Sequence, residues 1–215
     1  MSNFEYIISS LPWLTTDYKY ADGQGFSQVI QEIRDNLGEK DGAVLDFLLK
    51  GFQDQQLTPD FYAEALKHPL PFIRAYFSFD LNLRNAKVRY LNRQLDRPEN
   101  QDVLTGAGGP EDPDLDIDLY RFRPLEFEEA VQVENALAQS DLLSREKELD
   151  DIAWAKIGAL ETFHYFDLTA VLAYVAKLHI VDRWLALDPD KGRELFVQLV
   201  NEVRGSFKGV EFTDK

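Results

Sequence analysis

A glutamate and a histidine three residues apart, Glu161-Thr162-Phe163-His164, form the most chemically suggestive pair in the chain. On a helix that spacing turns both side chains to one face, as in the ligand sets of carboxylate-bridged di-iron bundles. Such a site needs the motif twice, plus glutamates from two neighbouring helices. The other two histidines do not supply it, because Ala65 stands three residues before His68 and Ala176 three before His179. A polar helix end is therefore preferred to a di-iron enzyme. Asp114, Asp116 and Asp118 imitate the first ligands of a calcium loop. The loop's sixth position should be glycine and is Leu119, and its twelfth should be glutamate and is Leu125. An acidic, solvated linker fits better. Gly106, Gly108 and Gly109 precede no Lys-Ser or Lys-Thr pair and sit beside negative charge, so they make no phosphate cradle. There is no cysteine nucleophile and no Gly-x-Ser-x-Gly elbow. These residues predict no catalysis and call for no cofactor or metal.

Two other groups are candidates for binding a partner. Arg89, Arg93 and Arg97 recur every four residues and would form one ridge on a helix in an otherwise acidic chain. The ridge is either a docking surface, for an acidic partner or for the chain's own acidic loop, or a solvated face, and the solvated face is preferred. Phe163, Tyr165 and Phe166 crowd around His164 at a junction between helices. They are either core or an exposed interface, and helical spacing favours core.

A net charge of −15 over 215 residues repels nucleic acid and anionic membrane surfaces over a Debye length, which argues against both as main partners. The absence of cysteine rules out disulfides and thiolate metal sites and fits a reducing compartment. The first residues lack the basic and apolar regions of a secretory signal. The most apolar stretch, Leu168 to Leu187, is interrupted by Lys177, His179, Asp182 and Arg183, so burial in protein is expected rather than membrane insertion. The expected location is cytoplasmic.

The elements that must position these residues are mostly helices. Phe4 to Leu14 is aromatic and β-branched and reads as a short extended segment. Asp22-Gly23-Gln24-Gly25 marks a turn. Phe26, Val29, Ile30, Ile33 and Leu37 recur at helical spacing with Gly38 as the C-cap, and Val44 to Phe52 follow with Asp41 as the N-cap. Thr58-Pro59-Asp60 opens a further helix. Phe72 to Leu95 is one long helix, in which Arg84 intrudes on the apolar stripe and Asp80, one turn earlier, is placed to neutralise it. Residues 98–123 form a long acidic loop. Beyond it, helices begin at Pro124, at Ser144 and after Asp167, the last apolar nearly all round. A fourth, capped by Asp188-Pro189-Asp190, carries Leu195, Phe196, Leu199, Val200 and Val203. The expectation is a mainly α multi-helix bundle with a short N-terminal extended segment and one long acidic loop. It forms a single helical domain over 1–215, with 98–123 as the one candidate hinge between 1–97 and 124–215.

Three segments resemble a bacterial family associated with V/A-type ATP synthase subunits. They are Tyr6-Ile7-Ile8-Ser9-Ser10-Leu11-Pro12, then Phe77-Ser78-Phe79-Asp80-Leu81-Asn82-Leu83-Arg84-Asn85, then Tyr165-Phe166-Asp167-Leu168 continuing through Ala173-Tyr174, Lys177-Leu178, Arg183-Trp184, Leu187-Asp188 and Lys191-Gly192. The pattern looks like a compact counterpart of the component that seats the rotor shaft of those enzymes on the membrane ring. That resemblance implies a non-catalytic coupling role, linking the central rotor shaft to the membrane ring, with the other ATPase subunits as partners. The familiar component is longer and built of three similar helical domains, for which this chain lacks the room. The alternative is a helical adaptor of an unrelated complex.

Overall fold

A computed structural model describes residues 2–17, 25–104 and 126–187. Among them there are eight helices and no strand, and 70% of these residues are helical, in line with the expected helical bundle. The N-terminal segment departs from expectation. Phe4–Ser10, read as extended, is helix α1. Asn3 caps it, its side chain accepting the Tyr6 N–H at 3.2 Å. Phe4, Ile7, Ile8 and Leu11 then fall at helical spacing and pack into the core. With one side to bury, period outweighed the β preference of the isoleucines.

Helices α2 (Phe26–Asp35) and α3 (Glu39–Lys50) follow, and the glycine between them works differently from its expected role. Asn36 is the C-cap of α2, while Gly38, extended at φ −73°, is the N-cap of α3. Asp41 lies in the first turn of α3, where the Ser2 hydroxyl donates to it and accepts the Gly38 N–H at 2.8 Å. Thr58 caps α4 (Pro59–Lys67) by accepting the Phe61 N–H at 3.2 Å, with proline at the first helical position as predicted. The long helix, α5 (Pro71–Gln94), lies within one residue of its predicted ends.

Past α5 the chain turns back on itself. Asp96 adopts φ 51°. The buried Asn92 amide donates to the carbonyls of Glu99 (3.1 Å) and Gln101 (2.7 Å), and Asn85 exchanges two hydrogen bonds with the Leu104 backbone. The first residues of the expected 98–123 loop are therefore pinned to α5. The acidic run, the glycines at 106–109 and Pro124 lie outside the described residues.

Helix α6 spans Ala130–Leu137. Helix α7, Leu142–Glu161, starts two residues before the expected Ser144, because the Asp141 carboxylate accepts the Ser144 N–H at 2.7 Å. Asp167 caps α8 (Leu168–Leu185) in the same way, accepting from Ala170 at 3.1 Å. The predicted helix after Asp188 lies outside the described residues, as does the turn at 22–24.

Helix α8 is central, touching α1, α2, α3 and α7. Its Leu172, Val175 and Leu178 share one buried cluster with Ile7, Ile33, Leu45, Phe77 and Ile157, so residues on both sides of 98–123 meet in a common core. A second cluster joins Phe79 of α5 to Val133 and Leu137 of α6 and Leu149 and Ile152 of α7.

Candidate functional site

Between the two cores lies a polar cleft of about 260 Å³, walled by α5, α7, α8 and the 3₁₀ turn Asp54–Gln56. On its α5 side, Arg84 Nε donates to both oxygens of Asp80 (3.1 and 2.9 Å), and Nη1 reaches Asp54 at 3.1 Å. The buried Tyr62 hydroxyl donates to Asp80 at 2.5 Å. Burial works against the Arg84 charge, but Asp80, Tyr62 and Asp54 outweigh it and raise its pKa. Burial, then Asp80, raises the Tyr62 phenol well above the ordinary tyrosine range. This is the Asp80–Arg84 neutralisation anticipated from spacing, extended by two partners from elsewhere in the chain.

On the other side, Asp150 of α7 is 7% exposed and binds two groups of α8. Arg183 pairs with its Oδ2, and the Trp184 indole N–H donates to the same oxygen at 2.6 Å. Between the two sides stand Tyr76 and His179. The imidazole lies flat on Phe52, with ring centres 4.1 Å apart and planes within 3°. Burial first, then Arg183, lowers the His179 pKa to about 4, so it is neutral at pH 7. Burial likewise raises the Tyr76 phenol.

The basic ridge is not a free surface. Arg93 bridges Glu99 (3.3 Å) and Glu134 (2.9 Å), and Arg89 Nε donates to Asn100 at 3.3 Å. Arg97 is off the ridge, since α5 has ended and the left-handed Asp96 turns the chain before it. The chain's own polar groups occupy the positions an acidic partner would take.

The aromatic junction, in contrast, is exposed where core was preferred. Phe163 is 84% exposed, Tyr165 67% and Phe166 59%. All three lie in the connection between α7 and α8, outside either helix. Phe163 itself sits at φ 71°, a conformation bulky L-residues avoid. Glu161 ends α7, so it and His164 do not share a helix face. Glu161 pairs with Lys177, and His164 with the cap Asp167 at 2.5 Å. Among the described residues no group of three or more His, Asp or Glu side chains is placed to hold a metal ion, and no helix is long and apolar enough to cross a membrane.

The family DUF2764, described as a protein of unknown function, matches residues 52–206, more than half of the chain. The chain belongs to this family. The match takes in the aromatic junction and every residue that lines the cleft except Gly51. No curated protein and no solved structure matches the chain. Of the cleft residues in this DUF2764 chain, periodicity pointed to Asp80 and Arg84 and missed Tyr76, Asp150 and His179 as site residues. A signal was present. Lys177, His179 and Arg183 interrupt an otherwise apolar helix, and a buried charge demands a partner. Lys177 finds Glu161 and Arg183 finds Asp150.

Proposed function

We propose that the chain is a non-catalytic coupling element of a V/A-type ATP synthase, and that it docks through the α7–α8 junction. It would sit at the cytoplasmic face of the membrane, joining the central rotor shaft to the membrane ring, with nucleotide chemistry on other subunits. The docking rests on one observation. A phenylalanine is held in a strained backbone conformation with its ring in water, beside two further exposed aromatics. Strain of this kind costs about 1–3 kcal/mol, and exposing the ring recovers nothing within the chain. A partner that buries Phe163, Tyr165 and Phe166 recovers it, because aromatic anchors dominate interface energetics. The net charge of −15 favours a partner with a basic rim around its apolar pocket. The choice of assembly rests on the three resembling segments, the third of which contains Tyr165 and Phe166.

Co-expression with the shaft and ring subunits of the same genome, followed by affinity purification and native mass spectrometry, tests both halves. The wild-type chain is expected at fixed stoichiometry with the shaft or ring. A chain carrying Phe163→Gly, Tyr165→Ser and Phe166→Ser is expected to be lost. Phe163→Gly alone relieves the left-handed strain and should raise stability by about 1 kcal/mol, and urea unfolding of the triple variant separates lost binding from misfolding. Assembly of those subunits without the chain would overturn the coupling role. Retention of the triple variant would overturn docking at the junction.

A further inference from the structure

We propose that the cleft between α5, α7 and α8 binds a small zwitterion, a molecule bearing both a carboxylate and an ammonium group in the manner of an α-amino acid. The inference is independent of the coupling role. It starts from charge. The lining carries two guanidinium groups, Arg84 and Arg183, and three carboxylates, Asp54, Asp80 and Asp150. A ligand of one sign brought into this space meets its attractor and an opposing charge together. A ligand of both signs can meet complementary groups.

Unspent hydrogen-bonding capacity points the same way. Among the described residues neither the Tyr76 hydroxyl nor the His179 imidazole makes a hydrogen bond, although both line the cleft. In that space a ligand group can take the place of water as their partner. Arg84 engages Asp80 and Asp54 through Nε and Nη1, leaving Nη2, and Arg183 engages Asp150 through Nη2, leaving Nε and Nη1. These donors, with Tyr76, suit a carboxylate. Asp150 spends Oδ2 on both Arg183 and Trp184, so Oδ1 remains for an ammonium.

Size and the remaining wall limit the ligand further. A volume of about 260 Å³ is below the range usual for drug-sized ligands. Phe52, Phe79, Leu83, Ile157 and Ile180 add apolar surface to the lining, against which a short hydrocarbon side chain would pack.

The test is a titration of the full chain with each common α-amino acid, followed by thermal unfolding and calorimetry. Each hit is paired with its decarboxylated amine and its deaminated acid. At least one amino acid should bind saturably at one per chain, with both single-charge analogues weaker by about tenfold or more. The chain has three histidines, so their ring NMR signals can be followed separately, and that of His179 should move while those of His68 and His164 stay. Arg183→Gln leaves the 7% exposed Asp150 carboxylate without its counter-ion, so its fold is first confirmed by circular dichroism. It should abolish binding, whereas Lys147→Gln, at an exposed α7 side chain that does not line the cleft, should not. The absence of any binding amino acid would overturn the proposal. So would equal binding of the single-charge analogues, an unmoved His179 signal, or wild-type affinity in Arg183→Gln.

Discussion

Arg84 is held by two carboxylates in different surroundings, which makes it an internal comparison of buried and exposed ion pairing. Asp80 is 20% exposed, accepts both Arg84 Nε and the Tyr62 hydroxyl, and lies on the same helix one turn away. Asp54 is 84% exposed and makes a single contact at 3.1 Å from a neighbouring turn. Replacing Asp80 with asparagine removes a charge-assisted hydrogen bond to a buried phenol and leaves Arg84 partly buried without its inner counter-ion. Hydrogen bonds to charged groups contribute about 1.5–3 kcal/mol, and removing one partner of a fully buried pair costs roughly 3–5 kcal/mol. Arg84 is 39% exposed and can reach water, so the lower range applies, and Asp80→Asn should cost about 2–3 kcal/mol. In a chain of this length that lowers the melting temperature by roughly 4–12 °C. Asp54→Asn should cost less than about 0.5 kcal/mol, in keeping with exposed pairs. Urea unfolding followed by circular dichroism measures both, with the slope as a check that the unfolded states are comparable. Equal costs for the two substitutions would refute the argument that burial, rather than the number of ion pairs, sets the strength of this network.

Two further outcomes follow from the packing and from His179. Gly51 has an ordinary φ of −71°, but an added Cβ would stand 2.2 Å from the Phe77 ring and 2.9 Å from that of Phe61. Gly51→Ala should therefore destabilise by about 1–3 kcal/mol through overpacking. Gly158→Ala, inside α7 with nothing within 4 Å, should stabilise by roughly 0.5–1 kcal/mol, and denaturant unfolding separates the two signs. The His179 pKa falls from 6.5 to about 4 on folding, so between those values the unfolded chain binds the extra proton. Its contribution is present above pH 6.5 and is lost as pH falls towards 4, by up to about 3 kcal/mol. His179→Gln should flatten the stability curve across that window, and an unchanged curve would show that other groups govern it.

The parts of the fold legible in the sequence were those fixed by local chemistry. Thr58-Pro59, Asp167 and the stripe of α5 each act within one or two helical turns, and each formed the element it predicted. Helix α1 was misread because two adjacent isoleucines carry a β preference that a single capped turn overrides. The Phe163 cluster was misread because helical spacing assigns a face only to residues within a helix, and Phe163 to Phe166 lie between two. The cleft was hardest to see. Asp150 and Arg183 are 33 positions apart, and periodicity gives the face a residue occupies without naming the helix opposite. The readable clue was the set of charges on α8, which no apolar helix keeps without partners.

The junction and the ridge differ in what each still has to offer a partner. Arg93 is already matched by Glu99 and Glu134 at partly exposed positions. A partner's carboxylate would only exchange one such pair for another, and each is worth about 0–1 kcal/mol. An aromatic side chain buries roughly 150–250 Å². At about 25 cal/mol per Å², and with more than half of each ring now in water, Phe163, Tyr165 and Phe166 each offer roughly 2–5 kcal/mol of gross stabilisation to a partner that covers them. Ordering and association costs reduce that sum, but the junction's share is lower than it would be for a mobile loop. The Glu161–Lys177 pair and the Asp167 cap already fix the backbone on either side of the junction, between two long helices. The ridge, neutralised from within, serves to fasten the chain's own loop and α6 to α5.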